Sequence, residues 1–77
     1  MNTLAGLKKG DHGRVLSLAK DNMAYRRKLL AMGLTPGASF QITRVAPLGD
    51  PIEINIRGYQ LSLRKKEALI ITVAREE

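Results

Sequence analysis

Isoleucine stands at positions 52, 54 and 56, with Glu53, Asn55 and Arg57 between them. That two-residue period is the mark of a strand with one buried face. Phe40 and Ile42 alternate with Ser39, Gln41 and Thr43 in the same way, but Val45 falls one residue out of phase. A bulge is therefore expected near Arg44. Further strands are read over His12–Ala19, where Gly13 opens a run carrying Val15, Leu16 and Leu18, around Leu61 and Leu63, and over Leu69–Val73. Leu4 and Leu7 read as apolar anchors of a short N-terminal segment. One stretch has the helical period instead. Tyr25, Leu29 and Met32, at i, i+4 and i+7, set a core-facing stripe on a helix over Met23–Met32, with Arg27 opposite and Met23 and Leu30 on the flank.

The residues between these segments punctuate them. Asp21-Asn22 supplies an N-cap, and Gly33 followed by Leu34 supplies a left-handed C-terminal cap. Thr35-Pro36-Gly37-Ala38 is a strong turn, since proline presets φ at the first central position and glycine accepts positive φ at the second. Lys8-Lys9-Gly10-Asp11 reads as a turn, Gly58 turns the chain, and Arg64–Ala68 is expected to make one 3₁₀-like turn. Ala46–Pro51 is a loop stiffened by Pro47, Gly49 and Pro51. The sum is a mainly β fold, a small SH3-like β-barrel of about five strands with one α-helix inserted between strands 1 and 2, filling residues 1–77 as a single domain. Closure would hide the strand edges. Of the aromatics Tyr25, Phe40 and Tyr59, at least two are assigned to the core.

Composition narrows the function. The chain has 77 residues, 44% of them hydrophobic, and a net charge of +6. A chain of this size buries only about 60% of its unfolded surface, which leaves little room for a deep active site. The charge favours an anionic partner, whether nucleic acid, the inner face of a membrane or an acidic protein surface, although surplus lysine and arginine also serve solubility. Cysteine is absent, which fits a reducing compartment and removes thiolate chemistry. No run approaches the ~18 apolar residues of a membrane span, and no signal peptide is expected. No Walker-type phosphate loop and no spaced Ser/His/Asp set is found, so no enzyme activity is expected. His12 is the single histidine and its neighbour Asp11 lies on the opposite strand face, so no metal site and no cofactor is expected.

Three segments together carry a resemblance. Tyr25–Gly37 is similar to the helix-and-turn signature of the FeoA family, Arg44–Ile52 to its central loop, and Leu61–Ala68 to its late strand and turn. They occur in family order and cover nearly the whole chain. The resemblance implies an SH3-like fold and a cytoplasmic accessory role in ferrous iron uptake. It also implies a partner, FeoB, a membrane ferrous-iron transporter with a GTPase domain whose assembly or GTP hydrolysis the chain would modulate.

Candidate partner-binding residues follow from the residues themselves. Arg26, Arg27 and Lys28 fan around the helix at 100° steps; each could be a solvated position, and Arg27 faces most directly outward. Met23 and Leu30 either widen the buried stripe or form an apolar anchor beside a charged rim. Leu48 and Asp50 are the side chains expected to project from the stiff loop. Gly33, Pro36, Gly37, Pro47, Gly49 and Pro51 are read as structural turn residues. Two alternatives to protein docking stay open, a basic nucleic-acid-binding barrel and a metal-sensing module. Three aromatic residues are few for a stacking surface.

Overall fold

The computed structural model describes residues 2–76. Six strands form one antiparallel sheet: β1 Asn2–Thr3, β2 His12–Leu18, β3 Ser39–Val45, β4 Ile52–Ile56, β5 Tyr59–Leu63 and β6 Ile71–Glu76. Helix α1 spans Met23–Ala31 and a four-residue α2 spans Lys65–Ala68. The spatial order is β1-β6-β2-β3-β4-β5. The sheet therefore curls without hydrogen-bonded closure, and β1 and β5 remain as edges. That corrects the expected closed shell of about five strands: Asn2 and Thr3 pair with Val73 and Thr72 and add a sixth.

The alternating positions fill the centre. Ile52, Ile54 and Ile56 of β4 are buried, as are Phe40 and Ile42 of β3, Val15 and Leu18 of β2, Leu63 of β5, and Ile71 and Val73 of β6. Leu4 and Leu7 pack into the same cluster from the N-terminal segment. The register of β3 against β4 slips between Ile42 and Arg44, which places the extra residue at Thr43 beside the expected bulge. A second slip, between Val15 and Ser17 against β6, leaves Leu16 41% exposed even though it reads as a strand hydrophobe. The last strand begins at Ile71 rather than Leu69 because α2 and its C-cap consume the residues before it. That segment is an α-turn and not a 3₁₀ turn, since the N–H groups of Ala68 and Leu69 donate four residues back to Arg64 and Lys65, each at 3.0 Å.

Helix α1 starts and stops where its caps dictate. The Asn22 side chain accepts from the Tyr25 N–H at 3.1 Å. At the other end Leu34 N–H donates to Leu29 C=O and Gly33 N–H to Leu30 C=O, both at 3.1 Å, the Schellman pattern around a glycine at φ 99°. Ala38 N–H donates to Thr35 C=O at 3.0 Å, closing the Pro36-Gly37 turn. The Gly33 site is also crowded. A Cβ there would lie 2.6 Å from the Tyr59 hydroxyl oxygen, which donates to Met32 C=O. Gly33→Val is therefore expected to cost about 1–2 kcal/mol from backbone strain and to break the Tyr59 bond as well. Thermal unfolding measures the first, and loss of the additional penalty in Tyr59→Phe measures the second.

Candidate functional site

The side chains that could meet a partner are set by how α1 lies on the barrel. Leu29 is completely buried, and Leu30 and Met32 are half-buried against the core. Tyr25 is half-buried and stands outside the core cluster. The inward face is thus rotated from the stripe read off the sequence, towards Leu29, Leu30 and Gly33. The cause is the Schellman cap, which docks Leu34 fully into the core and fixes the helix by its C-terminal end. Of the three aromatics only Phe40 belongs to the core; Tyr59 is 43% exposed. Both corrections follow from the same tilt, since Tyr59 reaches across to cap the helix instead of packing beneath it.

The outward face of α1 carries Met23, Ala24, Arg27, Lys28 and Ala31, all exposed. Met23 is 49% exposed, so it is the apolar side chain this face offers, with Arg27 one turn along. Leu30 belongs to the body of the domain rather than the flank. Arg26 is half-buried, and its Nε is buried without a hydrogen-bond partner. Lys28 Nζ reaches Glu67 Oε2 on α2 at 2.7 Å.

That ion pair ties the two helices together. Glu67 is 3% exposed, the one buried charged residue among those described. Its Oε1 also accepts the Arg64 N–H at 2.9 Å. Burial pushes the carboxyl up, but the Lys28 hydrogen bond, the Arg64 N–H and the positive charges of Lys28 and Arg64 outweigh it and hold the carboxyl below its usual range. Glu67 is not among the residues that the sequence pattern singles out. Its signal is weak: an acid three residues after the Arg64 N-cap, placed to accept that residue's N–H.

The second candidate surface is the loop after β3. Gly49 N–H donates to Ala46 C=O at 2.7 Å, making a turn with Pro47 and Leu48 at its tip, and Ala46 N–H donates to Pro51 C=O at 3.1 Å. Leu48 projects, 88% exposed. Asp50 is exposed, its Oδ1 accepts the Lys65 N–H at 3.1 Å, and it lines a depression of about 340 Å³ together with Pro51, Ser62 and Arg64. This depression holds one carboxylate, already engaged, and one guanidinium, so it lacks the convergent ionisable groups of a catalytic pocket. The helix and loop candidates both reach α2, since Asp50 accepts the Lys65 N–H and Lys28 pairs with Glu67 two residues further on.

His12 is exposed on β2, in register with Gln41 and Glu76. Asp11 binds the Lys8 N–H at 2.8 Å and approaches Arg75 at 4.0 Å. Among the described residues no group of three or more His, Asp or Glu side chains could hold a metal ion, and no helix is long and apolar enough to cross a membrane.

Comparison with known proteins places this geometry in a group. A family model described as the FeoA domain matches residues 2–75. In Porphyromonas gingivalis, an Fe(2+) transport protein A/Fe(2+) transporter FeoB fusion protein is 33% identical over 70 residues, 91% of this chain; the chain spans 8% of that protein's length. The crystal structure of an iron uptake regulatory protein, FeoA, superposes with a TM-score of 0.88 at 32% identity, covering 97% of both chains. The zinc-complexed FeoA of Stenotrophomonas maltophilia, described as an SH3 domain protein, gives a TM-score of 0.85 at 24% identity over 99% of this chain and 96% of its own. At that identity the likeness is one of fold, and the curled sheet described above is SH3-like.

Proposed function

The chain belongs to the FeoA family, and from that membership we propose that it is a non-catalytic accessory protein of bacterial ferrous iron uptake, acting on the cytoplasmic side by docking on an FeoB-like membrane transporter. The observation that carries this reading is the Porphyromonas gingivalis fusion, in which a domain 33% identical shares one chain with the transporter. A tether replaces affinity with an effective concentration in the millimolar range. Where no such tether exists, the domain's own surface has to supply the encounter.

The outer face of α1 is suited to that task. Met23 offers an apolar centre, Arg27 a charged rim, and the caps at Asn22 and Gly33 together with the Lys28–Glu67 pair hold the helix in place. A preorganised surface binds without a large ordering cost. Any effect on the transporter's assembly or GTP hydrolysis would then equal the difference in the chain's affinity for two transporter states.

The test is capture of a detergent-solubilised FeoB from the same organism by the immobilised chain. Met23→Glu sits at an exposed position, so its melting temperature should match the parent's, while capture should weaken about tenfold, the worth of one desolvated apolar anchor. Undiminished capture by Met23→Glu would remove α1 as the docking face. No capture by the parent chain would remove the docking reading itself.

A further inference from the structure

Strand β5 ends the sheet, and its main chain is arranged to take another strand. Arg57 and Gly58, at φ 52° and 84°, join β4 to β5 as a two-residue turn with both central residues left-handed. Such a turn makes its flanking residues, Ile56 and Tyr59, exchange both hydrogen bonds. The register runs on without a slip through Ile54↔Leu61 to Ile52↔Leu63. The N–H and C=O groups of Tyr59, Leu61 and Leu63 therefore face β4, and those of Gln60 and Ser62 face away from the sheet. Both residues are exposed, and among the described residues no backbone group bonds to their outward N–H or C=O.

An open edge of this kind is usually blunted by lysine, proline or a bulge within the strand. Tyr-Gln-Leu-Ser-Leu has none of these, and its ladder with β4 is regular. The opposite edge, β1, is only two residues long. What flanks β5 is positive charge: Arg57 at its start, and Arg64, Lys65 and Lys66 just past its end, all exposed and none in an ion pair among the described residues. The depression bounded by Ser62 and Arg64 opens beside the last outward residue.

We propose that the β5 edge accepts an extended acidic segment of a partner protein as a seventh strand. Four main-chain bonds to Gln60 and Ser62 would set its register, and the cations at the two ends would select its charge. A second copy of this chain fits less well. Antiparallel self-pairing about Leu61 would place Gln60 against Ser62 but would also bring the Arg57 end of each copy towards the Arg64–Lys66 end of the other, and like charges brought together repel. This inference rests on the main chain of β5 and its flanking cations and not on Met23 or Arg27, so its test is distinguishable from that of the docking reading.

The experiment titrates the isotopically labelled full chain with a blocked peptide of alternating glutamate and valine, following amide shifts and hydrogen exchange. Exchange at Gln60 and Ser62 should slow at least about tenfold at saturation, with shift changes confined to residues 57–66. A lysine-valine peptide should bind at least about tenfold more weakly. Ser62→Pro removes one outward donor at an edge position that tolerates proline, and should weaken the acidic peptide about fivefold. Should that variant unfold, Lys66→Glu at its exposed position gives a second readout by narrowing the preference for the acidic peptide over the basic one. Shifts centred on α1, equal binding of both peptides, or no binding would overturn the proposal. So would protection of Gln60 and Ser62 that grows with protein concentration alone, since that would assign the edge to a second copy.

Discussion

Gly13→Ala is expected to lower stability by about 3 kcal/mol, at the upper end of what overpacking usually costs, and so to lower the melting temperature by roughly 12–24 °C in a domain of this size. Gly13 is buried on β2, in register with Phe40 on one side and Arg75 on the other. A Cβ at this position would run into the Ala74 carbonyl oxygen and come within 3.1 Å of both the Ala74 carbonyl carbon and the Arg75 Cα. These are main-chain atoms of a paired strand. They cannot turn aside as a side-chain tip would, so the methyl group must push β6 off β2, and those two strands share most of the sheet's pairing on that side. Gly6 is the matched control, because a Cβ there would meet no heavy atom within 4 Å and its φ is not in the left-handed region. Gly6→Ala should therefore stay within about 0.5 kcal/mol of the parent. Circular dichroism melts of the two variants decide the point. Equal melting temperatures would mean that β2 and β6 do not approach as closely as described.

Sequence legibility followed the range of the forces involved. The strands at 39–45 and 52–56, the bulge between them, the helix caps at Asn22 and Gly33 and the Pro36-Gly37 turn all depend on neighbours within a few residues, and a linear pattern displays such forces directly. The face of α1 is not legible in this way because tertiary contacts decide it. Leu34, beyond the helix, seats in the core and turns Leu30 inward, while Tyr59, 27 residues along the chain from Met32, takes up its capping carbonyl. The same limit hides the extra pairing of Asn2 and Thr3, since two residues carry no readable period. At the candidate surfaces, exposure of Met23, Arg27 and Leu48 can be read from spacing and turn chemistry. Arg26 cannot, because whether a long side chain lies inward or outward is settled by what packs beside it.

Breaking the Lys28–Glu67 pair is the other large effect expected, and its pH dependence has a definite sign. Lys28→Met leaves a carboxylate that is 4% exposed without its cation, although the Arg64 N–H still reaches it. Loss of one partner of a fully buried pair costs about 3–5 kcal/mol, but the Lys28 side chain is 59% exposed and its charge is already partly solvated, so about 2 kcal/mol is expected at neutral pH. Because the folded state holds the Glu67 carboxyl below its usual value, the unfolded chain takes up a proton there first as pH falls. The pair's contribution is therefore complete above the unfolded carboxylate's pKa of about 4.3, and it is lost progressively as pH drops through the lower folded value. Chemical denaturation of the parent and Lys28→Met at pH 7 and near pH 3 should show the gap between them closing in acid. Glu67→Gln should flatten that portion of the parent's pH profile, and in the double variant Lys28→Met should cost much less than it does alone, since no buried charge is left to strand. A gap that stays constant across this range would mean that Lys28 acts through its alkyl packing on α2, not through its charge.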